Sequence, residues 1–352
     1  MKLLLWGVVM MLVAGCSRST GNNYTPATGR DNVNSVYYWK TVFDADSAER
    51  AFLERHNVGR IYLRMFDVAV NDEVAWSKYS VVPNATVRIV DDYLNEPPRA
   101  EYVPVVYITI DALKKMNAQE EQYAGLIVDR VRNMCSYNRL DSVPELQLDC
   151  DWTESTRQSY FTLCRAVKQC IDRDSLGWML SSTIRLHQLR ESPPPVDLGV
   201  LMVYNTGDFS DPDADNSIID LKDIEPYVKN LGNYPLHLDV AYPTYSWQLL
   251  YRKRRFAGIL RDLDTSDTTR FVPYGVNTHR VVTETIHGDR ILQPGDIVRT
   301  EQSPYETIIA VKRLIDSRMA DRPHASIIYH LDSSNLSKYT DNEISAIYET
   351  AR

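Results

Sequence analysis

Eight short runs of β-branched and aromatic residues, spaced by stretches of helical periodicity, restrict this chain more than any other feature. The runs cover residues 36–39, 60–68, 103–110, 145–151, 177–185, 198–205, 236–242 and 326–331, and they read as strands. Between the fourth and fifth, Tyr160, Leu163, Cys164, Val167 and Ile171 recur at the spacing of one helix face. Before the fourth, Tyr123, Leu126, Ile127, Val131 and Met134 do the same. Strands alternating with helices imply parallel pairing through right-handed crossovers, and eight such units close into a (β/α)8, TIM-type barrel. An open doubly wound sheet would want a glycine-rich phosphate turn after an early strand, and the sequence has no G-x-G-x-x-G or G-x-x-x-x-G-K-S/T.

One connection is too long for a loop. Residues 247–303 carry the turn signals His287-Gly288-Asp289 and Gln293-Pro294-Gly295-Asp296 among alternating apolar residues, which predicts a β-hairpin-bearing insertion at the barrel mouth between strands seven and eight. Pro193 to Pro195 stiffen the connection after strand five.

The amino terminus predicts a lipoprotein signal peptide over residues 1–15. Lys2 is followed by an apolar stretch, Leu3 to Val13, too short to span a bilayer, and Val13-Ala14-Gly15-Cys16 resembles a lipobox with Cys16 as the lipidated residue. Residues 16–35, rich in Ser, Thr, Gly and Asn, read as a flexible tether, and residues 36–352 as the barrel. The expected location is the cell envelope, lipid-anchored, with Ser17 after the modified cysteine pointing to the outer membrane.

The chain carries a net charge of −8, which argues against nucleic acid as a partner. The run Arg252-Lys253-Arg254-Arg255 is a local exception that reads first as a solvated face. Of the four remaining cysteines, Cys164 and Cys170 lie on different faces of one helix and are not expected to pair. Cys135 with Cys150 is feasible, with buried free thiols as the alternative. The histidines are scattered and no metal-ligand spacing occurs, so neither a metal nor a cofactor is expected.

The candidate chemistry lies in strands four and seven. In Glu145-Leu146-Gln147-Leu148-Asp149-Cys150-Asp151 the apolar residues share one face while Gln147, Asp149 and Asp151 share the other, and in strand seven His237 and Asp239 alternate with Leu236, Leu238 and Val240. If the apolar faces meet the helices, the carboxylates point into the lumen near the carboxyl ends of their strands, where barrel enzymes place catalytic groups. Asp149, Asp151 and Asp239 are therefore the candidate catalytic residues. Asp149 and Asp239, three strands apart, would leave a gap of about 8 Å, as in inverting glycosidases, whereas Asp149 with Asp151 suits a retaining or substrate-assisted route. The competing reading of Asp151 is a helix cap, from Asp151-Trp152-Thr153-Glu154. Arg64 and Arg185 are expected to orient carboxylates. Arg64, Asp67, Arg185, Tyr204, Asn205, His237 and His330 line the expected pocket. Trp39, Trp76, Trp152, Tyr242, Tyr245 and Trp247 offer ring faces to a carbohydrate.

Leu146 to Trp152, with Tyr160 and Leu163, Leu180-Ser181-Ser182-Thr183-Ile184 and Met202-Val203-Tyr204-Asn205, resembles an uncharacterised bacterial family of exported barrel lipoproteins similar in fold to glycoside hydrolases. That likeness covers about residues 100–245. A second likeness is to the family 18 chitinase strand, whose Asp-x-Asp-x-Glu ends in the proton donor; here Thr153 stands at the Glu position, so that acid is missing. Those motifs are silent on activity; the carboxylates and ring faces of the expected pocket predict a membrane-tethered glycoside hydrolase acting on a poly- or oligosaccharide by carboxylate acid/base chemistry. The alternative is a non-catalytic carbohydrate-binding or assembly lipoprotein on the same scaffold.

Overall fold

The computed structural model describes residues 33–71, 79–90, 100–140 and 143–349. The leader, Cys16, tether residues 16–32 and Trp76 lie outside them. Eight parallel strands form a closed ring: β1 (Ser35–Tyr38), β2 (Arg60–Val70), β3 (Glu101–Ile108), β4 (Glu145–Asp149), β5 (Met179–Arg185), β6 (Leu198–Met202), β7 (Leu238–Pro243) and β8 (Ser326–Tyr329). β1 pairs with β2 on one side and β8 on the other, which closes the barrel.

Following the paired residues once round the ring displaces the chain by eight residues along β1, the stagger of a TIM barrel. Inward side chains therefore stack in levels drawn from alternate strands. Ser35, Val103, Ser181 and Asp239 make the floor. Above them lie Tyr62, Gln147, Val200 and Ile327, then Tyr37, Val105, Thr183 and Ala241, then Arg64, Asp149, Met202 and Tyr329. The apolar members of these levels form a cluster of their own, separate from the larger core between strands and helices.

The outer layer follows the helical stripes. In α1 (Glu120–Tyr137) the buried face is Tyr123, Ile127 and Val131 with Ala124, Val128 and Cys135, while Leu126, expected inside, is 41% exposed. All five stripe residues of α2 (Arg157–Arg173) are buried. Tyr160 of this helix bonds Ser182 Oγ at 2.6 Å on β5, tying helix to strand. Trp152 is fully buried, stacked on Tyr160 and edge-on to Phe161, so it belongs to this layer rather than to a sugar platform. The eight units are not uniform, since β5 is followed by a 3-10 turn, Leu186–Arg190, and the prolines instead of an α-helix. The four cysteines are buried and free, and burial pushes the thiols of Cys135 and Cys164 up to about 12.

Residues 247–301 build an antiparallel sheet of five strands: Trp247–Arg252, Arg255–Leu260, Phe271–Pro273, Thr278–Val281 and Ile297–Glu301. A hairpin, Thr285–His287 with Arg290–Leu292, accompanies it. Gly288 (φ 59°) makes the hairpin turn, and Gly295 (φ 93°) follows Pro294 in the next turn, positions at which a side chain would be strained. The basic run forms the tip of the first hairpin: Lys253 and Arg254 take positive φ, while Arg252 pairs with Asp296 and Arg254 with Asp213. Among the described residues no helix is long and apolar enough to cross a membrane.

Removing the indole from the helix layer leaves a large cavity that the rigid barrel wall cannot fill. Trp152→Ala is expected to cost about 3–5 kcal/mol of unfolding free energy, read by urea denaturation.

Candidate active site

Asp149 is the last residue of β4 and is 3% exposed in the upper lumen. Its Oδ1 accepts from Thr183 Oγ1 at 2.6 Å and from Arg185 Nη2 at 2.8 Å, both on the neighbouring β5. Alternation along β5 sends Ser181, Thr183 and Arg185 inward together, so strand pairing alone delivers two donors to the carboxylate. Burial opposes the charge on Arg185. Asp149, Tyr204 and Asp151 around it outweigh that effect and hold the guanidinium well above its ordinary range. Below, Tyr37 Oη donates to Gln147 Oε1 at 2.7 Å and Gln147 Nε2 to Ser181 Oγ at 3.2 Å, so the polar lumen is internally bonded.

Asp151 stands just past β4 with its side chain 55% exposed, 3.5 Å from His187 Nε2 of the loop after β5. It does not cap the next helix, which begins six residues on at Arg157 after Thr156. Asp151 is thus an accessible carboxylate above the buried Asp149.

Asp239 does not oppose them. It is the second residue of β7, at the amino end of the strand, three levels below Asp149. With a strand rise near 3.3 Å and a tilt near 36° that is about 8 Å down the axis. Its Oδ1 accepts from the Ala325 backbone at 2.9 Å and lies 3.3 Å from His237 Nε2, both at the closed end. The expectation counted strands around the ring without the stagger, which lowers β7 relative to β4 residue for residue. His237, preceding β7, leaves the candidate pocket for the same reason. Tyr242 departs too, because its phase on β7 points outward, where Lys312 of α3 (Tyr305–Arg318) lies 5.8 Å from its ring centre.

Arg64 and Asp67 reach the mouth but serve each other. The guanidinium makes a two-pronged ion pair with Asp67, 2.8 Å at Nε, and lies 5.4 Å from the Trp39 ring. The other rings converge. Tyr204 stacks on Tyr329 (4.5 Å) and meets Tyr245 edge-on (6.0 Å), and Tyr245 meets Trp247 edge-on (5.6 Å). Trp39 is 5.8 Å from Tyr329. Tyr245 Oη donates to Asn205 Oδ1 at 2.6 Å, and Asn205 takes positive φ to make the turn after β6. Burial raises the hydroxyls of Tyr204, Tyr245 and Tyr329, which therefore remain neutral donors. His330 follows β8, and burial brings its imidazole down to about 4, leaving it neutral.

Thr183, His187 and Tyr329 were missed from sequence. The inward phase of β5 shared with Arg185 marks Thr183, and alternation in β8 marks Tyr329; nothing local marks His187. No group of three or more potential metal ligands occurs among the described residues.

No family model and no curated protein matches the chain. Solved structures do. A chitinase from Chromobacterium violaceum superposes with a TM-score of 0.53 at 11% identity, over 90% of this chain and 98% of that one. The spore cortex-lytic enzyme SleL of Bacillus cereus gives 0.54 at 11%, over 91% and 75%. A family 18 chitinase from Cycas revoluta in complex with (GlcNAc)3 gives 0.51 at 10%, over 90% and 98%. The fold shared with these structures is the TIM barrel. Identity this low carries the backbone arrangement and no residue roles.

Breaking the buried pair leaves an uncompensated charge in the lumen. Asp149→Leu is expected to destabilise on the order of 3 kcal/mol, and Asp149→Leu with Arg185→Met to recover much of it, as measured by urea denaturation.

Proposed function

We propose that this protein is a glycoside hydrolase held at the cell envelope by a lipid on Cys16, acting on an oligosaccharide of N-acetylated amino sugars. The observation that carries the reading is an accessible carboxylate, Asp151, directly above a buried Asp149 held by Thr183 and Arg185, beside a wall of rings. A sugar lying in the mouth would rest C–H faces on Tyr245 and Trp247 and place hydroxyl or amide groups toward Tyr204, Asn205 and Arg185.

In this reading Asp151 delivers a proton to the leaving glycosidic oxygen as its bond to C1 breaks, and a water then adds to C1 and returns a proton to Asp151. The Asp149 carboxylate, bonded by Thr183 and Arg185, faces the positively charged sugar of the transition state from beneath. His187 is close enough to exchange a proton with Asp151 between turnovers. The separation of Asp239 from this pair removes the support for a two-carboxylate inverting arrangement. The amino-sugar preference rests on the chitinase and cortex-lytic names of the structural neighbours.

Thr153 at the position of the family 18 acid supports a second reading, in which the mouth binds sugar without cleaving it. A panel of amino-sugar oligomers with wild type and Asp151→Asn separates the two. The hydrolase reading expects turnover to fall at least about 100-fold in the variant with binding within a few-fold. Equal turnover would remove Asp151 from the mechanism, and wild-type binding without cleavage would leave the non-catalytic protein. The lipid anchor expects palmitate labelling of wild type and none of Cys16→Ala, which should partition to the soluble fraction.

A further inference from the structure

Glu301 ends the last strand of the antiparallel sheet directly opposite Trp247 in the first, and it is 1% exposed. A buried carboxylate is costly unless its oxygens are satisfied. Oε1 accepts from Arg299 Nε at 2.8 Å. Oε2 accepts from Trp247 Nε1 and Ser217 Oγ, each at 2.6 Å. Arg299, also 1% exposed, lies 4.9 Å from the Tyr251 ring and donates through Nη1 to the Asp211 carbonyl at 2.7 Å. Asp211 and Ser217 belong to the loop after β6, so one carboxylate joins that loop, the sheet and the indole.

We propose that Glu301 is a positioning residue: by holding the Nε1 edge of Trp247 it sets the ring orientation presented at the mouth, and so the affinity for a bound oligosaccharide. This rests on the carbohydrate reading above. An indole pinned at its only donor, and hemmed edge-on by Tyr245 at 5.6 Å and Phe209 at 6.4 Å, has one orientation. The ordering entropy of the platform is then met on folding rather than on binding. A neutral acceptor would satisfy the N–H, but a carboxylate paired with Arg299 makes a shorter and stronger bond.

Glu301→Leu removes every acceptor, whereas Glu301→Gln keeps one oxygen for the indole. With the N-acetylglucosamine trimer as probe, calorimetry is expected to give about tenfold weaker binding for Glu301→Leu and within about threefold of wild type for Glu301→Gln. Tryptophan emission and iodide quenching, recorded also in a Trp247→Phe background, read the indole directly. Glu301→Leu should change both, and the change should vanish without Trp247. Wild-type binding and emission in Glu301→Leu would overturn the proposal, as would a binding loss that persists undiminished in the Trp247→Phe background. A wild-type protein that binds no trimer sinks the carbohydrate reading and the affinity half of the proposal, while the emission arm alone decides whether Glu301 orients Trp247.

Discussion

The stagger of the closed ring decides which side chains of this protein can meet. Eight parallel strands with a displacement of eight residues put Asp149 level with Arg64, Met202 and Tyr329, and put Asp239 on the floor. Polar groups in the lumen then satisfy one another, both between adjacent strands and across the ring. Asp149 with Thr183 and Arg185, and Gln147 with Tyr37 and Ser181, are the result. Asp149 and Gln147 each find a partner on the neighbouring β5, and Gln147 also meets Tyr37 of β1 across the lumen, which is how a lumen usually filled with aliphatic side chains tolerates polar groups.

The eight strands were legible because parallel barrel strands are concentrated runs of β-branched and aromatic residues, and each expected run overlaps its observed strand. Helix faces were legible where the stripe was strong, as in 157–173, and blurred where apolar residues exceeded the buried width, as at Leu126. The missing helix after β5 follows from chemistry that is visible in the sequence: three consecutive prolines cannot continue a helix. In 247–301 the turn at Gly288 announced a hairpin, which forms between Thr285–His287 and Arg290–Leu292, while the five-stranded sheet beside it was not foreseen.

The site was legible in part, and the division is physical. Period-two alternation tells which face of a strand a residue occupies and placed Asp149 in the lumen, whereas Arg185 and Tyr204 were picked out only as strand-end residues. Height along the axis is a property of the whole ring, and no single strand contains it. Asp239 and His237 were misplaced for that reason, and Tyr242 because its strand-end position was read without its phase. Loop residues such as His187 follow no period. Arg64 was read as an orienting group and does orient a carboxylate, its own neighbour Asp67 three residues on.

The chain enters β1 at Ser35, and β1 runs from the floor toward the mouth. Whatever lies upstream therefore pulls on the end of the barrel opposite Asp151, Tyr245 and Trp247. The proposed bilayer attachment would join the barrel at the end opposite its mouth.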